Sequence, residues 1–426
     1  MPLGAFRVNS LARLIAQESG ASDFTPAGTL FRTLDNPNPY GTGASDRFGF
    51  SCDIDGNIAI VGAYTEDDAG GSGSGKAYIF DVATGNLLHT LDNPNDYGTT
   101  ANDNFGASVA ISGNYALVTA SGEDTATDFN SGIGYIFDVT TGNLLHTLDN
   151  PNPYGTATSD GIGGSAKQSA MSGNYAIIST YNEDDVSANR SGAAYIFDVT
   201  TGNLLHTLTN PNDYGTKDED RFGFSCDIDG NYAIVGAYYE DTATDINSGV
   251  AYIFDVTTGN LLHTLDNPNA YGTPLEDRLG YSVGISGNYA IASAYLEDDA
   301  SGTNSGAAYI FDVTTGNLLH TLTNPNNYGT SENDTFGFIT AISGNYALVG
   351  AHNEDDITST SAGVVYVFDV ATGNLLHTIE NPNAYGTTAS DNFGYHLAAG
   401  NGYFIVTAYQ EDTAADINSG VAYVFN

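Results

Sequence analysis

The tripeptide Asn-Pro-Asn begins at Asn36, Asn93, Asn150, Asn210, Asn267, Asn324 and Asn381, at intervals of 57 residues except for one of 60. A period this long, carried through most of a 426-residue chain, overrides the usual division into two or three domains, because stacked repeats share one continuous core. Each unit holds four alternating apolar stretches broken by turn signals, and in the second copy these predict strands at 107–111, 115–120, 134–139 and 144–148. "SGN" separates the first strand from the second and "TTGN" the third from the fourth. Both read as tight hairpin turns, since Gly and Asn tolerate the positive φ that such turns demand.

The two ends of the repeat region choose between an open array and a ring. The chain enters through "TLFRTL", a lone fourth strand at 29–34, and finishes on "GVAYVFN", a third strand with no fourth after it. A ring lets the first strand complete the last unit, whereas an open array leaves an unpaired edge at each end. The expected fold is therefore all-β: a seven-bladed β-propeller with four antiparallel strands per blade, spanning 28–426, closed by its N-terminal strand and preceded by a short leader at 1–27.

Repeats such as "FGFSCDIDGNIAIVGAY" followed by "GKAYIF" resemble FG-GAP repeats, the units of the integrin α-chain propeller, over 28–426. That resemblance implies a propeller and says little about activity. Integrin-type units that bind calcium carry an Asp-rich loop between the first and second strands. Here that place holds only "SGN" or "DGN", so Asp53, Asp55, Asp227 and Asp229 are too few in too short a turn, and the family's calcium site does not carry over. The opening "MPLGAFRVNSLARLIA" is similar to the starts of several virion proteins of marine bacteriophages.

Charge narrows the partners. Ten Lys and Arg stand against 51 Asp and Glu, a formal net charge of −41, which has the wrong sign for nucleic acid. The leader is balanced, with Arg7 and Arg13 against Glu18 and Asp23. No run is long and apolar enough to span a membrane, and the N-terminus lacks the uninterrupted apolar stretch of a secretory signal, so release without a signal, as by lysis, is the expected route out of a cell. Cys52 and Cys226 occupy equivalent places three repeats apart, which argues for two free buried thiols rather than a disulfide.

In a propeller the first-to-second and third-to-fourth turns share one face, and both long connections share the other. The long-loop face is the expected working surface. Its second-to-third loops bring three acids per copy, for example Glu240, Asp241 and Asp245. Copies two, four and seven have the form Asp-x-x-x-Asp-x-Asn-Ser-Gly: Asp124, Asp128 and Asn130; Asp241, Asp245 and Asn247; Asp412, Asp416 and Asn418. Oxygen donors at that spacing suit calcium, and they equally suit a solvated turn closed by its own Asx hydrogen bonds. In the other loop Tyr40, Tyr97, Tyr154, Tyr214, Tyr271, Tyr328 and Tyr385 recur at one place, either as ligand-binding rings or as loop anchors. Asp46, Asp103, Asp160, Asp220, Asp277, Asp334 and Asp391 follow six residues later, as a carboxylate ring at the channel mouth or as caps on the turn into the innermost strand.

The remaining features speak against an enzyme. His89, His146, His206, His263, His320 and His377 fall on outermost strands of different blades, where an edge-strand charge explains them better than a metal. His352 and His396 read as isolated. The 60-residue interval places an insertion around Lys167 at the innermost strand of the third blade, where it is expected to bulge into the channel among acids. None of these breaks assembles a nucleophile, a base and an orienting group. In the leader, Ser10 caps a short helical stripe of Leu11, Leu14 and Ile15 beside Arg7 and Arg13, too short to fold alone and suited to docking on a partner. The sequence thus points to a non-enzymatic structural or adhesive propeller held by its leader in a larger assembly, a phage virion first. A calcium-dependent bacterial surface adhesin or carbohydrate-binding protein, extracellular or at the cell surface, is the alternative, and a polysaccharide-active enzyme comes third.

Overall fold

The computed structural model describes residues 28–38, 43, 45–67, 71–94, 100–125, 128–151, 158–184, 188–211, 217–242, 246–268, 275–298, 303–325, 333–355, 361–382, 391–412 and 417–426. Among them are 28 strands and no helix, arranged as seven four-stranded antiparallel sheets. Six sheets take four consecutive strands. The seventh takes Phe393–Gly400, Tyr403–Ala408 and Val421–Phe425, and its outer strand is Leu30–Asp35 from the other end of the chain.

That closing pair runs antiparallel with Leu34 opposite Ala422 and Asp35 opposite Val421. It is finished by reciprocal bonds between Thr29 and Asn426, N–H to O at 3.1 and 3.0 Å. The expected ring closure is present, with the strand one residue later than the alternation placed it. Within a blade, burial falls from inside to outside. In the second blade, Phe105–Ser112 and Tyr115–Ala120 are almost wholly buried, while Leu144–Asp149 exposes both leucines and buries only Leu148.

The core sits between blades rather than within one. Phe48, Cys52, Tyr78 and Phe80 of the first blade pack with Leu34, Ala398, Ile405 and Val424 of the seventh. The repeated Phe-Gly and Ser-Gly pairs are where neighbouring blades meet most closely: Phe105 N–H donates to Ser74 C=O at 2.9 Å. A Cβ on Gly75, whose φ is +82°, would lie 2.0 Å from the Phe105 carbonyl oxygen, so only glycine fits. The same contact joins the last blade to the first, Phe48 N–H to Ser419 C=O at 3.0 Å.

The tight-turn face is stapled around its circumference. Five innermost strands end in an Asp or Ser whose side chain takes the turn N–H of the next blade: Asp55 from Gly113 at 2.7 Å, Ser112 from Gly173 at 3.0 Å, Ser172 from Gly230 at 3.0 Å, Asp229 from Gly287 at 2.7 Å and Ser286 from Gly344 at 3.1 Å. Asn401 returns the series to Asp55 at 3.0 Å.

At the outer radius the repeated histidines do the same. His89, His146, His206, His263 and His320 each place Nε2 3.0–3.2 Å from a carbonyl oxygen in the next blade's turn, and Arg32 donates to Ala83 C=O at 2.5 Å. A carbonyl only accepts, so each Nε2 carries the proton. These side chains are hydrogen-bond bolts between blades, a role the edge-charge reading did not include.

Candidate functional site

Beneath the long-loop face lies a polar cluster repeated in every blade. Each Asn of Asn-Pro-Asn donates Nδ2 to the Asp ten residues later, from Asn36 with Asp46 to Asn381 with Asp391, over 2.8–3.4 Å. All seven of these Asp are buried. Buried as they are, they do not form an open ring at the channel mouth, and each takes a side-chain amide of its own loop.

Sequence reasoning missed the partners of this cluster. Glu66, Glu123, Glu183, Glu240, Glu297, Glu354 and Glu411 are 0–1% exposed, so the first acid of each loop is not on the rim. Tyr78, Tyr195, Tyr252, Tyr366 and Tyr423 donate their hydroxyls to these Glu at 2.5–2.9 Å, and Tyr309 bonds Glu297 likewise. A tyrosine so fully buried needs a partner for its hydroxyl, and the glutamate supplies it. The recurring signal was the fixed spacing of twelve residues from Glu to Tyr.

Two carboxyl groups buried together cannot both ionise cheaply. Burial, with Asp46 adding repulsion, pushes Glu66 up to about 8. Burial and Glu240 push Asp220 to about 8, and burial and Glu411 push Asp391 to about 7. Asp103, Asp160 and Glu183 are raised for the same reasons. Burial and mutual repulsion thus favour the protonated form of one carboxyl in these clusters.

The second acid of each loop turns back on its own backbone. Asp124 Oδ1 accepts Asn130 N–H, Asp241 accepts Asn247 and Asp412 accepts Asn418, each at 2.9 Å. The same clamp forms in blades without the Asp-x-Asn pattern, as Asp67 with Gly73 and Asp184 with Arg190. Asp128 Oδ1 accepts Thr158 Oγ1 at 3.1 Å. Asp245 and Asp416 lie outside the described residues, as do all seven loop tyrosines, Tyr40, Tyr97, Tyr154, Tyr214, Tyr271, Tyr328 and Tyr385, and the leader. Among the described residues no three His, Cys, Asp or Glu side chains gather as a metal set.

Five stretches, 39–80, 96–137, 212–254, 274–311 and 328–368, match the FG-GAP repeat family. The likeness holds over those five stretches. No curated protein matches the sequence.

Among the described residues, the large apolar side chains most exposed on the long-loop face are Phe129 at 69%, Ile417 at 68%, Ile246 at 60% and Leu275 at 52%. Phe129, Ile246 and Ile417 share one position, just before the clamped Asn of copies two, four and seven. Their carbonyls accept N–H bonds from the next blade's incoming loop, at Ser159, Glu276 and Ser45. The loops are thus zipped blade to blade with the side chains left in solvent.

The largest departure from the FG-GAP repetition is the insertion, and it does enter the channel. Ala166 C=O lies 3.1 Å from Ser108 Oγ of the second blade and 3.1 Å from His396 Nε2 of the seventh, while Lys167 C=O accepts Cys226 N–H of the fourth at 2.8 Å. His396 is therefore not isolated: its Nδ1 also sits 3.3 Å from Cys52 Sγ. Burial holds this imidazole down at about 3 and raises the Cys52 thiol, which favours the uncharged form of both. His352 likewise has neighbours, packing 4.0 Å from Phe338. Both cysteines are free and buried, as expected. Below the insertion the channel leaves a cavity of about 280 Å³ whose lining includes Asp53, Asp55, Lys167, Asp227 and Asp229. Asp53 and Asp227 bind the neighbouring Ile111 and Ile285 N–H at 2.8 and 2.9 Å, so these carboxylates staple adjacent blades.

Proposed function

We propose that this protein is a non-enzymatic adhesive module of a larger assembly, a phage virion, attached by its leader and turning its long-loop face to an external surface. The observation that carries the reading is the set of solvent-facing apolar side chains Phe129, Ile246, Leu275 and Ile417 on an otherwise strongly acidic face. Apolar residues standing free among carboxylates are contact points for a partner. An FG-GAP propeller is consistent with adhesion. The resemblance of the leader to marine phage virion proteins supports the virion, and the balanced charge of Arg7, Leu11, Arg13, Leu14 and Ile15 supports attachment there rather than through the acidic body.

The loop acids favour one rival: a calcium-dependent adhesin or carbohydrate-binding protein at a bacterial surface, in which each of the copy-two, -four and -seven loops holds a weak calcium site. The experiment uses the full chain in its particle. Leu11→Ser with Leu14→Ser and Ile15→Ser is expected to abolish incorporation while the purified protein stays folded, and Phe129→Ser with Ile246→Ser and Ile417→Ser to leave incorporation intact and reduce adsorption to host cells at least tenfold. Normal incorporation of the leader triple contradicts the anchor, and normal adsorption of the rim triple contradicts the adhesive face.

A further inference from the structure

The inner end of the long-loop face carries an aromatic arc. The residue after each Phe-Gly, or after its Leu-Gly counterpart, is Phe224, Tyr281, Phe338, Tyr395 and Phe50 in five successive blades. Their ring centroids follow one another at 4.8, 5.1, 5.6 and 5.6 Å. A second row at the ends of the second strands backs them: Tyr238, Tyr295, His352, Tyr409 and Tyr64 lie 4.0–4.4 Å from the first-row ring of their own blade. The whole first row is only half-buried. Adjacent rings are tilted by 39–47°, so they line a curve rather than stack as a column.

The fold itself does not require these rings. The second blade has Ala107 and Ser121 at the two positions and still pairs Phe105–Ser112 with Tyr115–Ala120. The third blade has Gly164, exposed, where the inserted segment crosses. The mouth of the channel is therefore asymmetric: five blades carry both rings, the third keeps only Tyr181, 5.4 Å from Phe224, and the second keeps neither.

Charge selects among occupants. Arg47, Arg221 and Arg278 donate to Tyr64, Tyr238 and Tyr295 hydroxyls, and Arg221 and Arg278 lie 4.5 and 4.9 Å from the Tyr239 ring centre. Arg47, Arg221 and Arg278 also lie 5.4, 5.7 and 5.9 Å from the ring centres of Tyr64, Tyr238 and Tyr295, so those three back-row rings already hold a guanidinium. A polyanion meets a body of charge −41. What remains is an uncharged ring with an apolar face and a hydroxylated rim.

Resting on the adhesive reading above, we propose that this mouth binds a neutral sugar residue of a surface polysaccharide. The C–H face of the sugar lies on Phe338, Tyr395 and Phe50, and its hydroxyls face the Ser121 and Gly164 side and the ordered tyrosine hydroxyls. Half-exposed aromatic rings joined to a few fixed polar groups are the usual make-up of such a site.

The test is retardation of the full chain in gels containing neutral dextran, laminarin, mannan or agarose, and anionic alginate, at one ionic strength. At least one neutral polysaccharide is expected to retard it, alginate is not, and Phe338→Ala or Tyr395→Ala is expected to weaken retardation at least tenfold while melting stays cooperative. Because the chain has 28 Tyr and no Trp, tyrosine emission of the unaltered protein is expected to change on adding the retarding glycan, a readout independent of how the variants fold. No retardation by any neutral polysaccharide, retardation by alginate alone, or retardation indifferent to both substitutions overturns the proposal. Particles that adsorb normally with Phe338→Ala and fail with the rim triple leave the adhesive reading standing and remove this site. Retardation without any adsorption does the reverse.

Discussion

The two faces of the propeller follow opposite rules. On the tight-turn face nearly every variation between copies is absorbed by a hydrogen bond of the same geometry, with Asp55 or Ser112 taking the neighbouring turn N–H and Arg32 standing in for a histidine. On the long-loop face the copies differ in ways that share no common staple: Phe129 stands in solvent where Asn189 bonds Asp218 at 3.2 Å, Tyr395 stands where another blade has Ala107, and one blade alone has an insertion, bonded to Ser108, His396 and Cys226. Blades are held together by what repeats, and a surface that distinguishes partners is made by what does not.

The largest way to break that comparison is to open the ring. Deleting 1–27 is expected to leave a soluble, cooperatively melting monomer, and deleting 1–35 to give aggregated protein, because Val421–Phe425 then loses its partner strand and presents a bare edge. Equal melting temperatures for the two deletions, measured by circular dichroism, contradict closure.

Next in size is pH. The buried Asp and Glu of the clusters have folded-state pKa values raised above their unfolded ones, so the folded protein binds more protons between about pH 4 and pH 8. Their contribution is fully present below the unfolded pKa and is lost as pH rises through the folded one, by up to ~1.4 kcal/mol per group per pH unit. Urea unfolding is expected to show higher stability at pH 5 than at pH 8.5, by several kcal/mol in aggregate. A flat or opposite profile means that the clusters are not protonated pairs.

A single bolt is smaller. His146→Ala removes the bond to Thr200 C=O and is expected to cost about 1 kcal/mol by urea unfolding, with no effect on ligand or host binding. Smallest is calcium: if the second, fourth and seventh loops bind it, millimolar calcium chloride raises the melting temperature by more than sodium chloride of equal ionic strength. Identical curves reduce the loops to solvated turns.

Much of the scaffold was legible because each repeated residue has a local reason. Asn-Pro-Asn gave the period, the Gly of "SGN" and "TTGN" the hairpins, and the unmatched ends the closing strand. The buried Glu was not legible, because Glu240 and Asp241 are neighbours of identical charge and only the fold sends one to Tyr252 and the other to its own loop. His396 looked isolated because its partner, Ala166, is 230 residues away. The aromatic arc escaped for a related reason: Phe50 and Tyr395 read as strand residues, and only ring closure sets them side by side.

The division of labour between the faces is tested most directly by measuring melting and host adsorption on the same two proteins, His146→Ala with His263→Ala, and Phe129→Ser with Ile246→Ser and Ile417→Ser. The account predicts that the histidine pair loses about 2 kcal/mol, melts about 2 °C lower and adsorbs normally, whereas the rim triple melts within about half a degree of the unaltered chain and adsorbs at least tenfold more weakly. Normal adsorption by the rim triple, or loss of adsorption by the histidine pair while it remains folded, contradicts it.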